Sequence, residues 1–153
     1  MLHVHDVLAL KGHVIYTISP DQSLKEAVHT LVVNDVGSLL VVENGHLIGL
    51  LTFREVLSAV DQHSSSETAI VRDCMVTDIY TVGPHDVVSH VAEELFRRKV
   101  RYVPVVERDM IHGVISFHDI QKAELEERHF ENQLLKRYIR NWPEESGNST
   151  QTA

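Results

Sequence analysis

The chain has 153 residues, 43% of them hydrophobic, and a net charge of −8 with histidine neutral. That length carries one compact domain or two small ones, with apolar content enough for a packed core. The acidic balance excludes general nucleic-acid binding, which needs Lys and Arg against phosphates, and no run approaches the roughly 18 apolar residues of a membrane span. Cys74 is the only cysteine, so no internal disulfide forms and a reducing, cytoplasmic setting is expected. Met1-Leu2-His3-Val4-His5-Asp6 lacks the basic and then apolar run of a signal peptide.

An internal repeat sets the organisation. Residues 15–58 lie over 79–122 at a constant offset of 64 with no gap, and 11 of the 44 positions are identical, among them Pro20/Pro84, Gly49/Gly113 and Phe53/Phe117. In the first copy Val14–Ile18 reads as a short strand, and Ser19-Pro20-Asp21 as a turn. Ser23 and Glu26 spell a capping box ahead of a helix whose apolar face is Leu24, Ala27, Val28, Leu31 and Val32. Gly37 opens a strand over Ser38–Val42, apolar enough to be covered on both faces. Asn44-Gly45 marks a hairpin turn, Leu47–Leu51 the returning strand, and Phe53 starts a second helix.

Asp61–Thr68, with three consecutive serines, reads as the connection. In the second copy Asp86 is expected to cap a helix with the face Val87, Val88, Val91, Leu95 and Phe96. Tyr102–Val106 is the inner strand, and Arg108-Asp109 replaces Asn-Gly. Neither copy, at roughly 60 residues, buries much surface alone, so the two are expected to pack sheet against sheet. From Phe117 to about Arg140 there is no Gly or Pro, which predicts one helix of about 36 Å. Its late stripe of Phe130, Leu134, Leu135, Tyr138, Ile139 and Trp142 is expected to meet the first repeat or another subunit. The polar tail after Pro143 is expected to be disordered.

Each repeat ends in one grammar: Gly49-Leu50-Leu51-Thr52-Phe53-Arg54-Glu55 and Gly113-Val114-Ile115-Ser116-Phe117-His118-Asp119. A buried strand ending in a hydroxyl and turning into a helix puts that hydroxyl near free backbone N–H groups, where an anion can sit. The carboxylate one turn on can accept two hydrogen bonds from a vicinal diol such as a ribose. The plainer reading of Ser116/Asp119 and of Thr52/Glu55 is a helix cap, which does not exclude ligand contact. Arg97, Arg98, Lys99 and Arg101 suit a solvated helix end. Eleven histidines invite a metal reading, but there is no Cys set and no His-Glu-x-x-His pattern, so no metal site is expected. With no nucleophile–base pair and no Gly-rich phosphate loop, the chain does not read as an enzyme.

Two tandem strand-helix-strand-strand-helix units ending Gly-apolar-apolar-Ser/Thr-x-x-Asp/Glu resemble the CBS domain pair, or Bateman module, of the stand-alone bacterial type. Arg101-Tyr102-Val103-Pro104-Val105-Val106 is similar to that family's Arg-x-apolar-Pro-Val strand, and Asp73-Cys74-Met75-Val76-Thr77 to its lead-in segment. The resemblance implies an α/β (α+β) fold in which the two repeats form a pseudo-two-fold pair, with repeats at 4–60 and 69–125, a linker at 61–68, a helical extension at 126–142 and a tail at 143–153. It implies a regulatory, signal-transducing module that takes an adenosine-containing ligand (AMP, ADP, ATP, NAD or S-adenosylmethionine) between the repeats and requires no cofactor. The first cleft would hold Ser116, His118 and Asp119 opposite Lys11, Gly12, Gly37 and Ser38. The second would hold Thr52, Arg54 and Glu55 opposite Thr77, Arg101 and Tyr102. The carboxylates would take ribose, the hydroxyls and His118 phosphate or ribose, and strand amides the adenine edge. Glu55 stands where the family has Asp. The family also implies a homodimer and a protein partner. The alternative is a constitutive dimerisation module with vestigial clefts.

Overall fold

The computed structural model describes residues 1–62 and 68–142; the middle of the expected linker and the tail after Trp142 lie outside them. The elements are α1 (Val4–Lys11), β1 (Thr17–Ile18), α2 (Leu24–Asn34), β2 (Ser38–Glu43), β3 (His46–Thr52), α3 (Phe53–Gln62), α4 (Val71–Cys74), α5 (Val88–Arg98), β4 (Tyr102–Glu107), β5 (Met110–Ser116) and α6 (Phe117–Arg140). The order within the first repeat is the one expected from sequence, the second repeat keeps it except that its first strand is reduced to a bridge at Val82, and α6 has the expected bounds. The strand expected over 14–18 shrinks to Thr17–Ile18. Helix α1 precedes the first strand: His3 is its N-cap and His5 lies in its first turn.

One sheet runs β1-β2-β3, with β1 parallel and β3 antiparallel to β2; the other is the hairpin β4-β5. Proline explains the difference. In the first repeat Leu40 N–H donates to the Tyr16 carbonyl at 3.1 Å and helps hold β1 to β2. The equivalent residue in the second repeat is Pro104, which has no N–H to give to Tyr80. Pairing there contracts to a bridge between Val82 and Val105. Both hairpins turn on left-handed residues, Asn44-Gly45 and Arg108-Asp109. Both carry a bulge after the strand glycine's partner, between Val41 and Val42 and between Val105 and Val106.

The repeats exchange their lead-in segments. Val4, Val7 and Leu8 of α1 lie in one core with Val88, Val91, Leu95, Val103, Val105, Ile115, Ile120 and Ala123 of the second repeat. Ala69 and Val71 lie in the other, with Ile18, Leu24, Ala27, Leu31, Leu39, Val41 and Leu51 of the first. The backbone seals the exchange reciprocally: Val4 N–H donates to the Asp86 carbonyl and Val88 N–H to that of Leu2, while Val71 N–H donates to that of Gln22 and Leu24 N–H to that of Ala69. The packed cores and the covalent repeats are thus different sets of residues. Each sheet closes one face over its own helices and the other repeat's lead-in. Leu40, Leu50 and Pro104, on the opposite strand faces, are buried too, as nearly all-apolar strands require.

The exchange also explains the repeated strand glycine. A Cβ at Gly113 would stand 2.8 Å from Leu8 Cδ2, and one at Gly49 would strike the Met75 side chain. Each glycine leaves room for the lead-in segment of the opposite repeat.

Two expectations about helix faces and caps fail. Val32 and Phe96, at equivalent positions, are 72% and 81% exposed. Each sits one residue past a buried leucine, so it is rotated about 100° off the buried stripe. Asp86 accepts from Gly83 N–H at 2.8 Å and closes that turn, leaving Val87 as a helix N-cap without a side-chain bond. The late stripe of α6 does not meet the first repeat: Phe130, Leu134, Leu135, Tyr138, Ile139 and Trp142 are all exposed. No helix among the described residues is long and apolar enough to cross a membrane.

Candidate functional site

Ser116 ends β5 and caps α6. Its hydroxyl accepts from Asp119 N–H at 3.0 Å, and Asp119 Oδ2 accepts from Ser116 N–H at 2.8 Å. This is the reciprocal box that a Ser-x-x-Asp sequence dictates at a helix start. The same oxygen receives Lys11 Nζ at 2.7 Å, and that ammonium also donates to the Val114 carbonyl at 2.8 Å. Lys11 is the last residue of α1, and Gly12 follows at φ 95°, in backbone space open to glycine. The exchange of lead-in segments is therefore what delivers Lys11 to the second repeat's motif. Burial would raise the Asp119 pKa, but the bonds from Lys11 and Ser116 outweigh it and hold the carboxyl below the ordinary aspartate value. Oδ2 carries all of these bonds, which leaves Oδ1 for a further donor.

Tyr102 joins this group. Its hydroxyl lies against Gly37, at a place a Cβ would fill, and its strand partner is Ser116. Burial pushes the phenol's pKa up, and Asp119 adds to the rise against a lowering by Arg101. The structure thus sets Tyr102 beside Gly37 and in the field of Asp119, two residues of the first cleft. Ser38 pairs with Thr52 within the first repeat's hairpin. His118 is exposed on the first turn of α6.

The other motif is built alike but wired differently. Glu55 accepts from both the amide and the hydroxyl of Thr52, and Arg54 N–H donates to the Thr52 hydroxyl at 3.3 Å. The lead-in here extends after the short α4, and Val76 bridges Leu50 through two backbone hydrogen bonds of 3.0 and 2.9 Å. Backbone therefore stands here where the Lys11 ammonium stands in the first site. Arg54 and Glu55 line a hollow of about 240 Å³ with Ser58, Ala59, Gln62, Asp73 and Cys74. Burial, helped by Asp73, raises the Cys74 thiol's pKa and keeps it protonated. Thr77 and Arg101 are exposed, and neither is brought to this hollow.

The basic cluster resolves into separate duties. Arg97 and Arg98 both grip Glu94, at 2.7 and 2.9 Å, holding its carboxyl at a pKa of about 2. Arg98 also lies over the Tyr80 ring at 4.5 Å. Lys99 is the left-handed C-cap of α5. Arg54 and Arg101 have no ion-pair partner among the described residues, which keeps both available to an anion. Sequence reasoning placed Lys11 in the cleft through its backbone and missed its ammonium. The signal was a lysine directly before a glycine at a helix end.

Residues 4–62 and 71–126 each match the CBS domain family. The chain is 30% identical over 125 residues to the mitochondrial CBS domain-containing protein CBSX3 of Arabidopsis thaliana, a match covering 78% of this chain and 61% of that protein. It resembles the crystal structure of the CBS-domain containing protein ATU1752 from Agrobacterium tumefaciens, with a TM-score of 0.77 and 29% identity over 80% of this chain and 99% of that one. The CBS domain pair of protein MJ0100, solved in complex with 5′-methylthioadenosine and S-adenosyl-L-methionine, superposes with a TM-score of 0.71 at 23% identity, over 80% of this chain and 94% of that one. With two matched copies, exchanged lead-in segments and a hydroxyl–carboxylate cap at the end of each repeat, the chain belongs to the CBS domain family as a tandem pair.

Proposed function

We propose that this chain is a non-enzymatic regulatory module that binds an adenosine-containing ligand at the Ser116–Asp119 site. One observation carries the reading: Asp119, Lys11 and Tyr102 converge there from three segments, and a helix cap alone needs only Ser116 and Asp119. The free Oδ1 of Asp119 accepts ribose hydroxyls, Lys11 supplies a cation for phosphate or carboxylate, and the Tyr102 phenol borders the site. The adenosine ligands of the MJ0100 pair support this ligand class. Binding competes for the Lys11–Asp119 ion pair. Lys11 sits at the end of α1, and the chain then runs through Gly12 to the Tyr16 carbonyl that holds β2. A ligand that frees Lys11 therefore acts on both repeats, to the extent that it prefers the opened arrangement.

The test is thermal unfolding of wild type against AMP, ADP, ATP, NAD, S-adenosylmethionine and GTP. A native-state ligand at 100 times its Kd adds about 2.7 kcal/mol, roughly 5–10 °C of midpoint for a chain of this size. At least one adenosine ligand is expected to produce that shift and GTP none. A flat panel at millimolar ligand overturns the sensor. It leaves the second reading, a dimerisation module whose first cleft is closed by its own Lys11–Asp119 pair.

Two copies associate through α6 in this proposal. The exposed stripe from Phe130 to Trp142 occupies one side of the helix. Packing two such stripes together removes their apolar surface from water. Sedimentation equilibrium is expected to show a dimer, with Leu135→Asp/Ile139→Asp raising its dissociation constant at least tenfold (an estimate for two lost apolar contacts). A wild-type monomer, or an unaffected dimer in the variant, rules out this mode.

A further inference from the structure

We propose that His3, His5 and Asp6 form a binding site for one divalent transition ion of the zinc and cobalt class. The argument starts from His5. Its Nδ1 lies 3.0 Å from the Pro84 carbonyl, which can only accept, so Nδ1 carries a hydrogen. In the neutral ring the other nitrogen, Nε2, then presents a lone pair, and it faces Asp6 Oδ1 at 3.3 Å. Two acceptors at that distance can share a proton or a metal ion. The Nδ1–H to carbonyl bond is also the arrangement that orients metal-bound imidazoles.

The third donor is in place. His3 Nδ1 is 3.8 Å from Asp6 Oδ2, and the His3 and His5 rings stack at 5.5 Å with 5° between their planes. One ligand atom from each of the three residues lies within 4.8 Å of the others. Bond lengths of about 2.0–2.2 Å separate donors around a tetrahedral ion by roughly 3.3–3.5 Å, so small rotations suffice. The local fold assembles this set. His3 N–H donates to Asp6 Oδ2 at 2.9 Å as α1 starts, which draws the carboxylate back over the two imidazoles. Two histidines and one carboxylate leave a fourth position to water or to His85, whose ring stands edge-on to His5 at 5.7 Å. Imidazole donors favour zinc, cobalt or nickel over magnesium or calcium. An ion here would pin the start of α1 to the Pro84 turn of the second repeat.

Calorimetric titration of Zn²⁺ into the full chain at about pH 7.5 tests this, with Mg²⁺ as the oxygen-preferring control. One Zn²⁺ per chain is expected to bind at micromolar concentration and to raise the unfolding midpoint. His3→Ala and His5→Ala are each expected to weaken binding at least tenfold (from the loss of one of three ligands). Asp6→Asn, which keeps an oxygen for the His3 amide, is expected to do the same without unsettling α1. His46→Ala, in the exposed first hairpin, is expected to leave binding unchanged. Absence of saturable Zn²⁺ uptake below about 1 mM overturns the proposal, with a proton bridging His5 and Asp6 instead. Uptake that survives His3→Ala and His5→Ala overturns it too, because the ion is then elsewhere.

Discussion

Leu8→Ala is expected to destabilise the chain by about 2–5 kcal/mol, the usual cost of truncating a buried leucine. Leu8 is 2% exposed, and its Cδ2 fills the space over Gly113. By sequence it belongs to the first repeat, which has its own strands, helices and core. If the repeats packed as they are written along the chain, residue 8 would sit in an N-terminal arm and its loss would cost little. In the exchanged arrangement it lies in the core of the second repeat, with Ile115, Val103 and Ile120. Leu10→Ala on the same helix is the control. Leu10 is 51% exposed, so the change is expected to stay within about 0.5 kcal/mol. Urea unfolding measures both. A Leu8→Ala cost below about 1 kcal/mol would sink the exchange.

The same exchange marks where sequence reasoning stopped. The strand-helix-strand-strand-helix order was legible because each element carries its own signal. Ser23 and Glu26 announce a cap, Asn44-Gly45 a turn, and the unbroken run from Phe117 to Arg140 a helix. These are local events, and the repeat supplies each one twice. The lead-in segments carry no such redundancy. Lys11 and Asp119 are separated by more than a hundred residues, and only the packing of Val4, Val7 and Leu8 against the second repeat brings them together. His3, His5 and Asp6 were passed over for a different reason. Histidines two apart suggest a shared strand face, whereas here an extended N-cap followed by a helical turn stacks them. Asp86, Val32 and Phe96 were misread by assigning each residue the commonest role of its type. Gly83 N–H was the nearer donor for Asp86, and the buried stripes of α2 and α5 are narrower than a run of apolar letters implies.

Asp119→Ala is expected to weaken the adenosine ligand by about ten- to a hundredfold, since hydrogen bonds to a charged group contribute about 1.5–3 kcal/mol. The residue also has structural work, so binding loss alone does not separate its roles. Lys11→Met makes the separation. Removing the ammonium leaves the Ser116–Asp119 cap intact and frees Oδ2 of its competitor. For a ligand held only through ribose, Lys11→Met is expected to tighten binding. For one that also carries a phosphate, the lost cation offsets that gain. Comparing adenosine with AMP on both variants therefore reads the two halves of the site independently, and a Lys11→Met variant that binds both as wild type does removes Lys11 from the site. Acid titration adds a second axis. The folded carboxyl of Asp119 sits below its unfolded value, so the folded state favours the charged form. Its contribution is complete above the unfolded value of about 3.9 and is lost as pH falls through the folded one. Wild type is therefore expected to lose stability more steeply than Asp119→Asn below about pH 4, with the two slopes equal at neutral pH. Equal slopes throughout would mean that neither the Lys11 pair nor the Ser116 cap holds the carboxylate in solution. The cleft would then stand open without ligand, and binding would proceed without displacing an internal partner.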